Sequence, residues 1–204
     1  MSGIPCKHSK LSQSALMSHL QQGDLNAFEF IVCEYGGYLR NVALRYLVNV
    51  ADAEDAVQET YVQALKNIGH FRGDSSLKSW LHRITVNNAL MMIRKTSRIA
   101  DIEVNDNQEV FDENGKRRKN ENSIDISLEK IHENDEFRQT IQQLILSLPA
   151  AYRNIMLLRD IENYSIAETA DKLQISQSAV KTGLHRARNM LKEKLEKLGY
   201  HDEK

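Results

Sequence analysis

The chain has 204 residues, a net charge of −1 and two cysteines, a length that suits one large domain or two small ones. Cys6 and Cys33 lie too far apart for a C-x-x-C site and have no nearby His pair, as in a reduced cytosolic protein. The start MSGIPCKHSK lacks the apolar core of a secretion signal, and the longest apolar run, Ala89–Ile93, is far short of a membrane span, so a soluble cytoplasmic chain with no membrane insertion is expected.

Two prolines, few glycines and apolar residues at helical spacing predict an all-α fold. Residues 1–23 form a tail and short helix. Asp24 caps a long helix over Leu25–Val48, expected to break near Gly36-Gly37. Asp52 caps Ala53–Ile68, with Glu54 and Asp55 in the first turn, where the helix dipole favours negative charge. Gly69–Ser76 is a loop, and Ser75 or Ser76 caps a helix to about Lys95. Residues 97–128 lose the periodicity and cannot bury enough apolar surface to order themselves, so a flexible linker is expected; the acidic tether as a whole spans 98–136 and holds 12 acidic against 5 basic residues over 101–136. Residues 1–100 and 137–204 each carry +3, so an acidic middle hides two basic ends. Helices resume around Leu128–Leu146, and Pro149 sits at a helix start, where its missing N–H costs nothing. Ala150–Asp160, Ile166–Leu173 and Gln177–Leu198 follow. The expected organisation is two small helical domains, 24–97 and 137–198, on an acidic tether.

The pair IAETADKLQISQSAVKTGLHRAR (166–188) has two short amphipathic segments joined by three residues. Advancing about 100° per residue from Gln177 gathers Val180, Leu184, Ala187, Leu191, Leu195 and Leu198 on one stripe. Ser178, Lys181, Thr182, His185 and Asn189 fall opposite, flanked by Arg186 and Arg188. Short hydrogen-bonding side chains mixed with cations suit a major groove, where the former meet base edges and the latter neutralise phosphates. With Ala170 small enough for a close crossing, Leu173 and Ile175 as core pegs and Ser176 as a cap, this is a helix-turn-helix with the second helix for recognition. Gln174 stands where many such turns use Gly, implying a less relaxed backbone.

On the same scale from Trp80, Leu77, Leu81, Ile84, Met91 and Met92 make the expected core face of the 76–95 helix. Trp80, Arg83, Asn87 and Arg94 make an adjoining stripe beside a polar loop with Phe71 and Arg72, a surface that would suit an unstacked base and its phosphates. Taken alone, a Trp at a helix edge is more often partial core. Upstream, Asp55, Gln58, Glu59 and Val62 form an acidic–amide ridge, either a solvated face or a docking site for a basic partner.

Both blocks together resemble a known family. DAEDAVQETYVQALKNIGHFRGDSSLKSWLHRITVNNAL is similar to the second conserved region of bacterial sigma factors, and LPAAYRNIMLLRDIENYSIAETADKLQISQSAVKTGLHRARNMLKEKL to the fourth. Nothing between resembles the third region, which is the layout of the extracytoplasmic-function (ECF) group. The resemblance implies that Asp55, Gln58 and Glu59 dock on the clamp helices of the largest RNA polymerase subunit. It assigns the loop Phe71–Lys78 (with Arg72, Ser75 and Leu77), together with Trp80, Arg83 and Asn87, to the minus-ten element and its flipped base. It assigns Arg159, Gln177, Ser178, Lys181, Thr182, His185, Arg186 and Arg188 to the minus-thirty-five element. The implied partners are core RNA polymerase (including the flap of its second-largest subunit), promoter DNA and an anti-sigma factor. The acidic segment is either a solvated spacer or a mimic of nucleic acid in the polymerase channel, with the basic patch Lys116–Lys119 unexplained.

A stand-alone helix-turn-helix regulator is the alternative, but it leaves residues 52–88 without a purpose. Seven scattered histidines, no H-E-x-x-H, no Cys/His cluster and no nucleophile motif argue against an enzyme, a metal or a cofactor.

Overall fold

The computed structural model describes residues 13–95 and 135–200. The linker, its basic patch, the first twelve residues and the expected helix start at Leu128 lie outside them. The described residues form two compact units, one on each side of residues 96–134, and every regular element among them is helical.

The first unit contains α1 (Gln13–Gln21), α2 (Leu25–Leu47), α3 (Val50–Asn67), a 3-10 turn (Ile68–His70) and α4 (Leu77–Lys95). Asp24 caps α2 as expected, accepting from the amide of Asn26. The break expected at Gly36-Gly37 is absent: α2 runs unbroken through both glycines. Buried residues on either side, Ile31 and then Leu39, Val42, Ala43 and Tyr46, offset the propensity cost of about 1 kcal/mol per glycine. At Gly36 the small residue has a use, because a Cβ there would lie 3.3 Å from the Tyr61 hydroxyl.

Helix α3 begins earlier than expected. Asn49 is its cap, accepting from the amide of Ala51, and Asp52 is a first-turn residue. Ser76 caps α4, its Oγ accepting from the amide of Ser79 at 3.1 Å.

The core face of α4 also differs from expectation. Leu77 and Leu81 are buried, but Ile84 and Met92 are only half-buried and Met91 is exposed; Thr85, Val86, Asn88, Ala89, Leu90 and Ile93 are inside instead. Both α2 and α3 pack on α4, so a wide arc of it is covered and a strip of roughly 100° remains open. The polar members enter because they are bonded. Asn88 Nδ2 donates to Thr60 Oγ1 at 3.2 Å, and Gln63 Nε2 donates to Asn88 Oδ1 at 3.0 Å. Thr60 also donates to Thr85 at 3.2 Å. Each buried group left without such a partner would cost about 1–3 kcal/mol.

The second unit contains α5 (Asp135–Leu146), α6 (Ala150–Met156), a π-helical turn (Leu157–Ile161), α7 (Ile166–Leu173) and α8 (Gln177–Lys197). Pro149 is the N-cap residue of α6. The expected regular helix to Asp160 is widened at its end, Glu162 donating to the Leu157 carbonyl at 2.9 Å. Ser165 and Glu168 close a reciprocal capping box on α7, and these bonds from Ser165 hold the Glu168 carboxyl below the usual range. Gln174 adopts the left-handed conformation at φ 58°, the strain implied by the missing glycine. Ser176 caps α8 through the Ala179 amide. The buried stripe of α8 matches expectation at Val180, Leu184, Ala187, Leu191 and Leu195, and fails at Leu198, which is 56% exposed. Helices α6 and α8 cross closely at Gly183, where a Cβ would lie 2.5 Å from Ile155 Cδ1.

Candidate nucleic-acid interface

On α8, Gln177, Ser178 and Lys181 are exposed and Thr182 and His185 half-buried; Ser178, Lys181, Thr182 and His185 lie off the stripe that packs on α6 and α7, whereas Gln177, at the helix start, is in line with that stripe. Ser178 and the cap Ser176 share a hydroxyl contact at 2.9 Å, and His185 Nε2 lies 3.1 Å from Asn189 Nδ2. The structure brings Ser178, Lys181, Thr182 and His185 onto one polar side of α8 and leaves Gln177 at its edge.

The three arginines assigned to the same surface are held by the protein itself. Arg188 makes a bidentate pair with Asp160, Nη2 to Oδ1 at 2.7 Å and Nε to Oδ2 at 3.1 Å. These bonds keep its guanidinium protonated above the ordinary range. Arg186 Nη1 donates to the Tyr152 hydroxyl at 3.4 Å, and Arg159 Nη1 donates to the Tyr164 carbonyl. Tyr152 and Asp160, which the sequence did not single out, thus steer two of the cations.

On the first unit, the open strip of α4 carries Trp80, Arg83, Asn87, Met91 and Arg94. Phe71 meets Trp80 with ring centroids 5.2 Å apart, so the 71–76 loop closes back on that strip. Arg72 and Lys78 are exposed and Ser75 is half-buried. Leu77 is expected both on the core face and in the DNA-contacting loop; at 1% exposure it is a core residue, and its assignment to direct DNA contact is corrected. Lys78 lies 4.2 Å from the centroid of the Tyr38 ring, and the Tyr38 hydroxyl lies 2.9 Å from His82 Nδ1. No local pattern flags Tyr38; α2 and α4 meet there across 44 positions of sequence.

The ridge Asp55, Gln58 and Glu59 is exposed, with Val62 beside it. Glu59 accepts from Gln63 Nε2 at 3.1 Å, so one end of the ridge joins the hydrogen-bonded set that reaches Asn88. Among the described residues no cluster of three or more His, Cys, Asp or Glu could hold a metal ion, and no helix is long and apolar enough to cross a membrane.

Comparison with known proteins bears on what these surfaces serve. Residues 31–99 match the family Sigma-70 region 2, and residues 138–191 match Sigma-70, region 4. Over 183 residues the chain is 33% identical to the ECF RNA polymerase sigma factor SigW of Bacillus subtilis, covering 89% of this chain and 96% of that one. The chain belongs to the ECF sigma factor family. This sigma factor is also 29% identical over 184 residues to the RNA polymerase sigma-H factor of Pseudomonas aeruginosa, covering 90% of this chain and 93% of the relative. Among solved structures it is similar to CnrH in complex with the cytosolic domain of CnrY, with a TM-score of 0.46, 23% identity and coverage of 90% and 97%. Both regions in order on one chain set aside the stand-alone regulator, since region 2 has no place in such a protein. The protein is an alternative sigma factor, acting with RNA polymerase in promoter recognition and transcription initiation.

Proposed function

We propose a division of labour between the two units. The domain of residues 24–97 docks on the polymerase clamp helices through Asp55, Gln58 and Glu59 and captures a flipped minus-ten base between the Phe71–Lys78 loop and Asn87. Opening DNA costs a few kcal/mol per unstacked step, and a fitted pocket for the everted base offsets part of that. Trp80 and Arg83, beside the pocket, hold the strands apart. The open strip on α4, with Phe71 folded onto Trp80 at 5.2 Å, carries this reading.

The domain of residues 137–198 enters the minus-thirty-five major groove with α8. Gln177, Ser178, Lys181, Thr182 and His185 face the bases and nearest phosphates, and Arg186, Arg188 and Arg159 approach the backbone as already oriented cations. The same domain meets the flap of the second-largest polymerase subunit. The protein works in the cytoplasm, needs no cofactor and makes no covalent bond; nucleotide transfer belongs to the polymerase. An anti-sigma factor holds it inactive.

The test is run-off transcription with purified core polymerase from the promoter upstream of the protein's own gene. Wild-type chain supports initiation and permanganate-reactive opening at the minus-ten region. Asn87→Ala retains core binding and loses most of the opening. Normal melting by that variant refutes the pocket.

A further inference from the structure

Lys78 is the second residue of α4, where the positive end of the helix dipole disfavours a cation. Its ammonium is nonetheless localised over the Tyr38 ring, 4.2 Å from the centroid. The hydroxyl of the same tyrosine contacts His82, one helical turn after Lys78, at 2.9 Å. One residue of α2 therefore holds the first two turns of α4. Tyr38 is half-buried, and the next residue, Leu39, is the one that enters the core, at 0% exposure. Tyr38 thus leans toward the start of α4 while its neighbour anchors α2. Trp80, two residues from each in sequence and on the opposite side of α4, receives Phe71, so this short stretch is held by α2 on one side and by the loop on the other.

We propose that Tyr38 is a positioning residue for minus-ten recognition. Its ring fixes the Lys78 charge, and its hydroxyl fixes α4 through His82, so that the ammonium meets the phosphate beside the captured base from one place. An untethered lysine loses rotamer freedom on binding; a lysine held beforehand over an aromatic face loses less. The inference rests on the minus-ten reading above.

The experiment measures binding of full-length protein with core polymerase to a fork-junction DNA with a single-stranded minus-ten element, at several salt concentrations. The variants are Tyr38→Phe, Tyr38→Leu, Lys78→Ala and the Tyr38→Leu/Lys78→Ala double. Tyr38→Leu weakens binding about three-fold, the scale of an exposed cation–π contact, and Tyr38→Phe, which keeps the ring, weakens it less. In the Lys78→Ala background Tyr38→Leu has no further effect, whereas a tyrosine that merely supported the fold would act equally in both backgrounds. Equal effects in the two backgrounds, or no effect of Tyr38→Leu with Lys78 present, overturns the proposal. A silent Lys78→Ala beside an impaired Asn87→Ala also overturns it and leaves the pocket standing. Silence of both lysine and asparagine variants removes the minus-ten reading itself.

Discussion

Lys181 and Arg188 lie on the same helix of the same surface, yet their surroundings give them different work. Lys181 is exposed; Arg188 is tied by two bonds to Asp160, each side chain about one third open to water. Lys181→Ala is expected to leave thermal stability within about 0.5 kcal/mol of wild type, while reducing the salt slope of promoter binding by about 1. Arg188→Ala and Asp160→Ala are each expected to destabilise the second unit by about 1 kcal/mol, a value that allows for solvent screening. Their double variant should cost little more than either single change, as read by thermal melts in a double-mutant cycle. Additive costs would mean that the pair contributes nothing. The arginine was legible as a cation on a flank of α8. Its partner was not, because Asp160 is 28 positions away and nothing local distinguishes it from other acidic residues of the chain.

Among the helices, caps were readable and faces were only partly so. Asp24 and Ser176 act on amides two and three residues ahead, so their role is written in adjacent sequence. The α3 cap was misplaced because Asn49 and Asp52 are both competent, and the chain uses the earlier one. Which face of α4 is covered depended on two neighbouring helices, and Thr85 and Asn88 could go inside only because Thr60 and Gln63 wait there. The α6–α8 crossing gives the sharpest test at this scale. Gly183→Ala improves helix propensity by about 1 kcal/mol, but its Cβ would press on Ile155, which has 0% exposure. A net loss of about 1–3 kcal/mol is expected, seen as a lower thermal midpoint. Adding Ile155→Val, which removes the clashing methyl, should recover part of it; no recovery would place the strain elsewhere.

For the molecule as a whole, the proposed division of labour has two units on one chain gain from each other only when their spacing is held, since the second contact then forms at a high effective concentration. Promoter affinity is therefore expected to rise at least about 100-fold when core polymerase is present, measured on a duplex carrying both elements. Equal affinity with and without the polymerase would count against the division of labour. Helical content and the two-part organisation follow from periodicity, breakers and local spacing, which act over a few residues and survive any arrangement of the rest, and the family shows in the resemblance of two blocks of sequence to known ones. The sequence by itself therefore determined what kind of protein this is and which helices carry its polar surfaces. Only the tertiary structure decided that Asn88 is inside and Met91 outside, that Arg188 belongs to Asp160, and that Lys78 rests on Tyr38. Each of these turns on a neighbour supplied by packing, from a part of the chain that local rules cannot reach.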